Sequence, residues 1–392
     1  MTPRAQRPRE GVDGRSRLRL IALVTTTFLA FLNFTGLLGV VPLWAAAGGG
    51  GSAIVGSTTG VMMAATVATQ LCAPWLFRQL SLRVLVIVGA VLLGAPSPLY
   101  ALSADAVPIL TITAVRGVGF ALIVLAGAVL IAEVAGEGRL AKAAAAYGVA
   151  GALPNVVALG GGVWAAEAWG FPVVFALAGA TGLAGAALAW LLPPHSRGSV
   201  GRPTRQDVLR IGPTIVLFAA STAAFGAAST FLPVSGPDTA TTALALLAAS
   251  CGIVLGRFVA GGLADRIGSG RLLLPSALAV ALGALVIGLT LDGPDWLLML
   301  GAALVGTGFG ACQNDSFVVT LDRFGPQARG TASTIWNIAY DGGVGIGALG
   351  LGWVIGSLGH AGAFIALATA IAAVALLSIA VRRRTAAPTT GG

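Results

Sequence analysis

An all-α integral membrane protein is what the sequence predicts, with twelve transmembrane helices in two pseudo-symmetric six-helix bundles. Three observations predict it. Of the 392 residues, 56% are hydrophobic and only 9% are charged, against about 25% charged in a soluble domain, so the solvent must be lipid. Cutting the chain at charged or Gly/Pro-rich breaks yields twelve apolar runs, and about 20 residues suffice to cross the hydrocarbon core. The basic residues fall into every second connection, as topology requires of a multi-span protein.

The tail 1–17 is arginine-rich, and the apolar stretch after it, Leu18 to Trp44, is too long for a signal h-region of 7–15 residues. It reads as the first span. The spans are expected near 18–43, 53–77, 84–103, 106–132, 141–164 and 170–192, which makes 18–192 the first bundle. A polar stretch at 193–210, PPHSRGSVGRPTRQDVLR, is the expected cytoplasmic linker. The second bundle, 211–381, follows with spans near 211–234, 241–264, 272–291, 296–320, 330–356 and 361–381, then a tail at 382–392. Pro154 falls inside the fifth span, where a missing N–H can break or kink a helix.

Of the 23 Lys and Arg residues, 21 lie in the N-terminal tail, at 78–83, 139–142, 197–210, 266–271 and 323–329, and at 382–384. The alternate connections hold Asp105, Glu167, Asp238, Asp292 and Asp295 and no base. Lys and Arg stay inside, so both termini are expected in the cytoplasm of a plasma-membrane protein. The net charge of +9 is spread between apolar runs rather than gathered on a face, which argues against nucleic acid. Cys72, Cys251 and Cys312 lie in apolar segments, and His195 and His360 are far apart. Neither set has disulfide or metal spacing. The N-x-S/T matches at Asn33 and Asn314 sit inside spans and read as chance. Five tryptophans, Trp44, Trp164, Trp169, Trp296 and Trp353, fall near outer ends, as an interfacial belt would.

The halves repeat. Arg78 and Arg83 match Arg266 and Arg271 at an offset of 188, RGVGFA (116–121) resembles VGTGFG (305–310) at 189, and FPVVFALAG (171–179) resembles AGAFIALAT (361–369) at 190. Many secondary transporters are built from such repeats, with the substrate near the midplane between them. Residues 261–271 read GGLADRIGSGR. With this stretch the chain resembles the major facilitator superfamily, over nearly its whole length. Gly261, Asp265, Arg266, Gly268 and Arg271 look like the family's signature loop in its second-half copy. Arg116 with GVGFA resembles the family's fourth-helix arginine motif, and TIWNIAYDGGVGIG (334–347) is similar to a pattern of its drug and metabolite exporters. The loop's acid can face a neighbouring helix dipole, its glycines allow close helix approach, and its bases anchor it inside, so the group forms a conformational latch, to which Arg257 eight residues earlier is expected to belong. A topology anchor alone would explain the bases but not the acid. The first-half copy has Phe77 for the acid and Leu80 for the glycine, so no acid–dipole latch is expected there.

Ionisable groups at mid-depth are functional hypotheses. Arg116 lies about ten residues from the outer end of span 4, roughly 15 Å deep, and Asp341 about eleven from the inner end of span 11, roughly 16 Å. Asp341 is expected to exchange a proton and Arg116 to tune or partner it. Against this stand Arg116 bonded to backbone carbonyls and Asp341 satisfied beside its glycine run. Asp315 lines a gate or marks the interface, Asn33 bonds substrate or another helix, and Trp336 is deep enough for a cavity. There is no phosphate-binding G-x-x-x-x-G-K-[ST] loop, no nucleophile–His–acid set and no implied cofactor. The fifth span has ALPNVVALGGG without the Gly-Pro pair of antiporters. The expected function is proton-coupled efflux of a small, amphipathic organic substrate by a monomer in the lipid bilayer, without enzyme activity. The alternatives are proton-coupled nutrient uptake and a non-transporting sensor or assembly partner.

Overall fold

Lipid offers no hydrogen bonds to a backbone, so a chain that crosses it satisfies its N–H and C=O groups within helices or in a closed barrel. This chain takes the helical solution. The computed structural model describes residues 10–135, 139–198, 204–324 and 328–386, and every regular element among them is helical.

The first crossing is α1 (Glu10–Leu38) continued past Gly39 by α2 (Val40–Ala47), and α3 (Ser52–Leu71) is the second. A short α4 (Ala73–Gln79) leads into α5 (Leu82–Gly94), followed by α6 (Ala106–Val134), α7 (Leu140–Trp169) and α8 (Phe171–Ala189). The second half holds α9 (Arg205–Ser235), α10 (Thr239–Ile267), α11 (Leu273–Thr290), α12 (Asp295–Phe324) and α13 (Arg329–Ala386). A straight helix of 58 residues would run roughly 87 Å, almost three times the hydrocarbon thickness of about 30 Å. Gly359, at φ 67° and ψ 175°, breaks α13 into two crossings. Twelve crossings result among the described residues, and an even number puts their two ends, Glu10 and Ala386, on one face, here called the terminal face.

Local chemistry sets the boundaries. Asp238 accepts the Thr241 N–H at 2.9 Å and caps α10, and this bond holds its carboxyl below the usual carboxylate range. Gly170 ends α7 at φ 85°. Pro96 and Pro98 cannot donate to an α-helical ladder, so α5 stops at Gly94 and a 3₁₀ turn, Ser97–Leu102, completes the third crossing. Pro154 does not break α7, which continues through it. The apolar span of α9 starts at Ile211, as expected, while the helix itself reaches back to Arg205, so part of the linker is helical. Trp164, Trp169, Trp296 and Trp353 are exposed near the face opposite the termini.

Side chains gain little by leaving lipid for one another, so close backbone packing and interhelical hydrogen bonds carry the association. α12 presents Gly306 and Gly310 to α10, and a Cβ at either would run into the carbonyl of Ala249 or Ile253. The two halves meet in the same way. Gly56 of α3 lies against the Ala348 carbonyl and the Gly352 Cα of α13, and Gly160 of α7 against the Ala243 carbonyl of α10. The Thr59 and Thr230 hydroxyls bond at 2.8 Å, joining α3 to α9. All these contacts between halves lie toward the far face. On the terminal side the halves part around a cavity.

Gly306→Ala should therefore destabilise the protein, by about 1–3 kcal/mol of overpacking. Gly161→Ala, where nothing lies within 4 Å of the added carbon, should be neutral or stabilising by up to about 1 kcal/mol of helix propensity. Thermal midpoints in detergent check this, and equal midpoints would contradict packing through backbone contact.

Candidate functional site

The cavity between the halves measures about 280 Å³. Six helices each give it one stripe at a spacing of three or four residues, the spacing that keeps side chains on one helix face. α1 gives Thr27, Phe31 and Phe34; α6 gives Phe120, Val124 and Ala128; α7 gives Tyr147, Gly148, Gly151, Ala152 and Asn155. Across from them α10 gives Ser250, Ile253, Val254 and Arg257, α12 gives Phe309, Gln313 and Phe317, and α13 gives Ser333, Trp336, Asn337, Tyr340 and Asp341. The first-half wall is an aromatic cluster: Phe34 stacks on Phe120 at 4.1 Å and Phe31 meets Phe120 edge-on at 5.3 Å. The second-half wall joins Trp336 to Phe317 at 5.1 Å and to Tyr340 at 5.9 Å, and Tyr340 to Phe309 at 5.8 Å. A flat apolar body has aromatic faces on both sides.

Asp341 is 3% exposed, and its carboxylate accepts a 2.6 Å hydrogen bond from the Gln70 side-chain amide. Gln70 sits in the last turn of α3, in the opposite half, and is fully buried. Its Oε1 has no hydrogen-bond partner among the described residues. The bond therefore ties α3 to α13 on the terminal side of the far-face contacts, at the cavity wall. A bond to an ionised acceptor is about twice as strong as a neutral one, so its strength follows the charge on Asp341.

Trp336 lines the cavity, stacks on Phe218 at 4.8 Å and donates its indole N–H to Ser316 at 3.0 Å. The preceding residue, Asp315, is fully buried and faces the loop after α10: its carboxylate accepts the Gly270 N–H at 2.7 Å and the Leu272 N–H at 2.9 Å. An acid thus meets the positive end of a helix, α11; this acid is Asp315 of α12, whereas the expected one was Asp265. Asp265 lies in the last turn of α10, and its side chain lies outside the described residues. Arg266 and Arg271 are exposed. The glycines work differently from the expectation of close approach. Gly268, at φ 89°, ends α10 in a conformation that costs glycine nothing, whereas Gly261 has only Asn314 nearby, at 3.9 Å. In the first half Phe77 is buried instead, and the loop is held by the Leu82 N–H donating to the Ser196 carbonyl of the linker at 2.9 Å.

Arg116 and Asn33 do not line the cavity. Asn33 is two residues from Phe31, which on a helix is the opposite face. Arg116 continues the Phe120 stripe by one turn toward the far face. It donates to Asn33 at 2.9 Å, to the Tyr100 hydroxyl at 3.2 Å and to the Leu93 carbonyl at 3.4 Å. Its guanidinium lies 5.5 Å from the Tyr100 ring centre, and Asn33 in turn donates to Ser97 and the Ala178 carbonyl. These partners are neutral and all belong to the first half, so the structure does not bring Arg116 and Asp341 together. Arg257 is placed on the cavity wall, about 12 Å along α10 from Asp265, and makes no hydrogen bond or ion pair among the described residues.

Trp336 lies on the cavity wall where sequence reasoning looked for it, whereas Gln70 and the rest of both aromatic walls were missed. An amide in an apolar run was the available signal for Gln70. No three-residue acid, His or Cys cluster that could hold a metal occurs among the described residues.

A sequence model of the Major Facilitator Superfamily matches residues 23–347 and 235–391. No curated protein sequence gives a match. Among solved structures, the nucleoside transporter NupG superposes with a TM-score of 0.75 at 12% identity, over 93% of this chain and 99% of that one. A POT family transporter in complex with a thioalcohol-conjugated peptide gives 0.76 at 13%, over 94% and 96%. A bacterial homologue of the human lysosomal transporter Spinster, in an inward-facing and occupied conformation, gives 0.72 at 15%, over 97% and 98%. Likeness at such identities speaks for the fold, and the family match spans nearly the whole sequence: the chain is a member of the Major Facilitator Superfamily, a multi-pass membrane transporter rather than an enzyme.

Proposed function

We propose that the protein is a proton-coupled secondary transporter of a small amphipathic organic molecule, working as a monomer by alternating access. The observation that carries this reading is Asp341: a buried carboxyl on the wall of an aromatic cavity, bonded to Gln70 of the opposite half. With Asp341 ionised, the Gln70 bond is charge-assisted and holds α3 to α13. A proton on Asp341 weakens it. A proton that binds one arrangement of the halves better than the other shifts the balance between them, by no more than that difference.

The charge alternation along the chain supports a plasma-membrane protein with cytoplasmic termini, and the cavity then opens to the cytoplasm. Arg116 and Asn33 hold α1, α5 and α6 together behind the first-half wall. Asp315 latches the loop after α10, with Gly268 shaping the turn and Arg266 and Arg271 keeping it inside. Trp336, bonded to the neighbouring Ser316, links that latch to the cavity. Transport as the class is also supported by the solved transporters of nucleosides and peptides that share the fold. Efflux in exchange for protons is the direction favoured by the exporter-like pattern in α13, and uptake with protons is its rival. The two differ in a measurable property: in exchange, substrate and proton compete for the cavity, whereas in cotransport each strengthens the binding of the other.

Two outcomes are expected. In proteoliposomes under a pH gradient, with a panel of amphipathic compounds, a transported compound should dissipate the gradient through the wild type and at least about tenfold more slowly through Asp341→Asn. Equal coupling in both proteins would make Asp341 structural. Asp315→Asn should weaken the cap on α11 by about 1–3 kcal/mol, read as faster hydrogen exchange over residues 268–273. Unchanged exchange there would remove the latch.

A further inference from the structure

We propose that the substrate is an aromatic organic anion, anchored by Arg257, and that it moves together with a proton. The inference rests on the transport reading above and adds the chemical class of the substrate and the sense of coupling.

The ionisable side chains on the cavity wall are Arg257 from α10, Asp341 and Tyr340 from α13, and Tyr147 from α7. Asp341 already has a donor in Gln70. Arg257 has no hydrogen-bond or ion-pair partner among the described residues, and it faces the cavity. A guanidinium offers five N–H donors in a planar fork that matches a carboxylate or phosphate. Its side chain is exposed beside Tyr340, so among the described residues it is a cation on the wall that an incoming anion can reach. The rest of the wall states what the remainder of the ligand looks like. Phe120 with Phe34 on one side and Trp336 with Tyr340 on the other suit a flat ring. Gln313 lines the cavity with a buried Oε1 that has no partner among the described residues, so it can accept a hydrogen bond from a ligand N–H or O–H. An acid group on an aromatic ring that also bears a donor meets all three requirements.

The charges then fix how the substrate and proton interact. With Asp341 ionised, the wall carries one positive and one negative charge, and the carboxylate repels an incoming anion. With Asp341 protonated, Arg257 is the remaining full charge. Proton and anion therefore each strengthen the other's binding, as linkage requires. The loaded cavity gains one proton and one negative charge, so the pair crosses without net charge. This favours cotransport over the exchange that the α13 pattern alone suggests. Tyr147 and Tyr340 stay neutral phenols over the working range, since a phenol ionises only near pH 10, and Gln70, the group that meets Asp341 from α3, carries no charge.

The test is calorimetric titration of the purified full chain in detergent with three ligands that share one ring: indole-3-acetate, tryptamine and tryptophol. Indole-3-acetate should bind more tightly than either of the other two. Its affinity should rise as the pH falls from 8 to 6, a range in which the ligand itself remains ionised. Arg257→Gln should weaken indole-3-acetate about 10- to 100-fold and leave tryptophol unchanged, with Arg257→Lys in between. An unchanged thermal midpoint and unchanged tryptophol binding identify a folded variant. Asp341→Asn should bind the anion tightly at both pH values. Preferential binding of tryptamine, absence of indole-3-acetate binding, or indifference of that binding to Arg257→Gln would overturn the proposal. Binding needs no gradient, so the two readings fail separately. Arg257-dependent anion binding alongside intact coupling in Asp341→Asn would sink the proton role and keep the anion site. Lost coupling without anion preference would do the reverse.

Discussion

Backbone contact at glycine is the constraint on which this structure depends. Helices in lipid are surrounded by a solvent as apolar as their own side chains, so they gain little by burying them. What holds α10 to α12, and α3 to α13, is the approach of main chains where Gly306, Gly310, Gly56 and Gly352 leave room. Contacts of this kind are short and shape-dependent, and those between the halves cluster toward one face. The opposite face is thereby free to open, and the cavity lies there. Packing that was uniform along the helices would leave no such asymmetry.

Polar groups enter this frame only where each has a defined partner. Arg116 shows the fixed kind. Its donors are taken up by Asn33, Tyr100 and Leu93 within one half, so moving one half against the other need not disturb it. Asp341 shows the movable kind, because its partner, Gln70, belongs to the other half. The difference lies in which half supplies the partner, not in depth: both residues lie near mid-span. Asp315 completes the set as a cap on α11, next in sequence to the serine that receives the Trp336 indole bond. A shift of Trp336 against a ligand is thus one hydrogen bond and one residue away from the loop on the terminal face.

Much of the fold was legible in the sequence because lipid makes strict demands. Each crossing needs about 20 apolar residues, and Arg and Lys mark the connections, so twelve spans could be read with few errors of extent. Helix ends and span ends differ at two places. Pro96 and Pro98 end α5 as an α-helix although the third span runs on to Leu102, and α9 reaches back to Arg205, although its apolar span starts at Ile211, because a polar, charged stretch can be helical once it leaves the bilayer. The mid-depth charges Arg116 and Asp341 were visible, since charge stands out in an apolar run. Gln70 was not, because a neutral amide looks like any interhelical hydrogen bonder. Arg257 was grouped with Asp265 by its closeness in sequence, although two helical turns separate them. Apart from Trp336, the aromatic walls escaped notice for a deeper reason: a stripe facing a cavity and a stripe facing lipid are both apolar at the same spacing, and only packing distinguishes them.

The central claim is that the charge on Asp341 biases how the two halves face one another. Spin labels at Val149 of α7 and Phe258 of α10, both exposed and in opposite halves, report the separation on the terminal side, in a background with Cys72, Cys251 and Cys312 replaced. Their distance distribution should be measured by pulsed electron resonance from pH 8 to pH 5, with and without Asp341→Asn. The account predicts a distribution that shifts with pH in the wild-type background and stays fixed in the Asn variant. A distribution that ignores pH in both, or follows it equally in both, would contradict it.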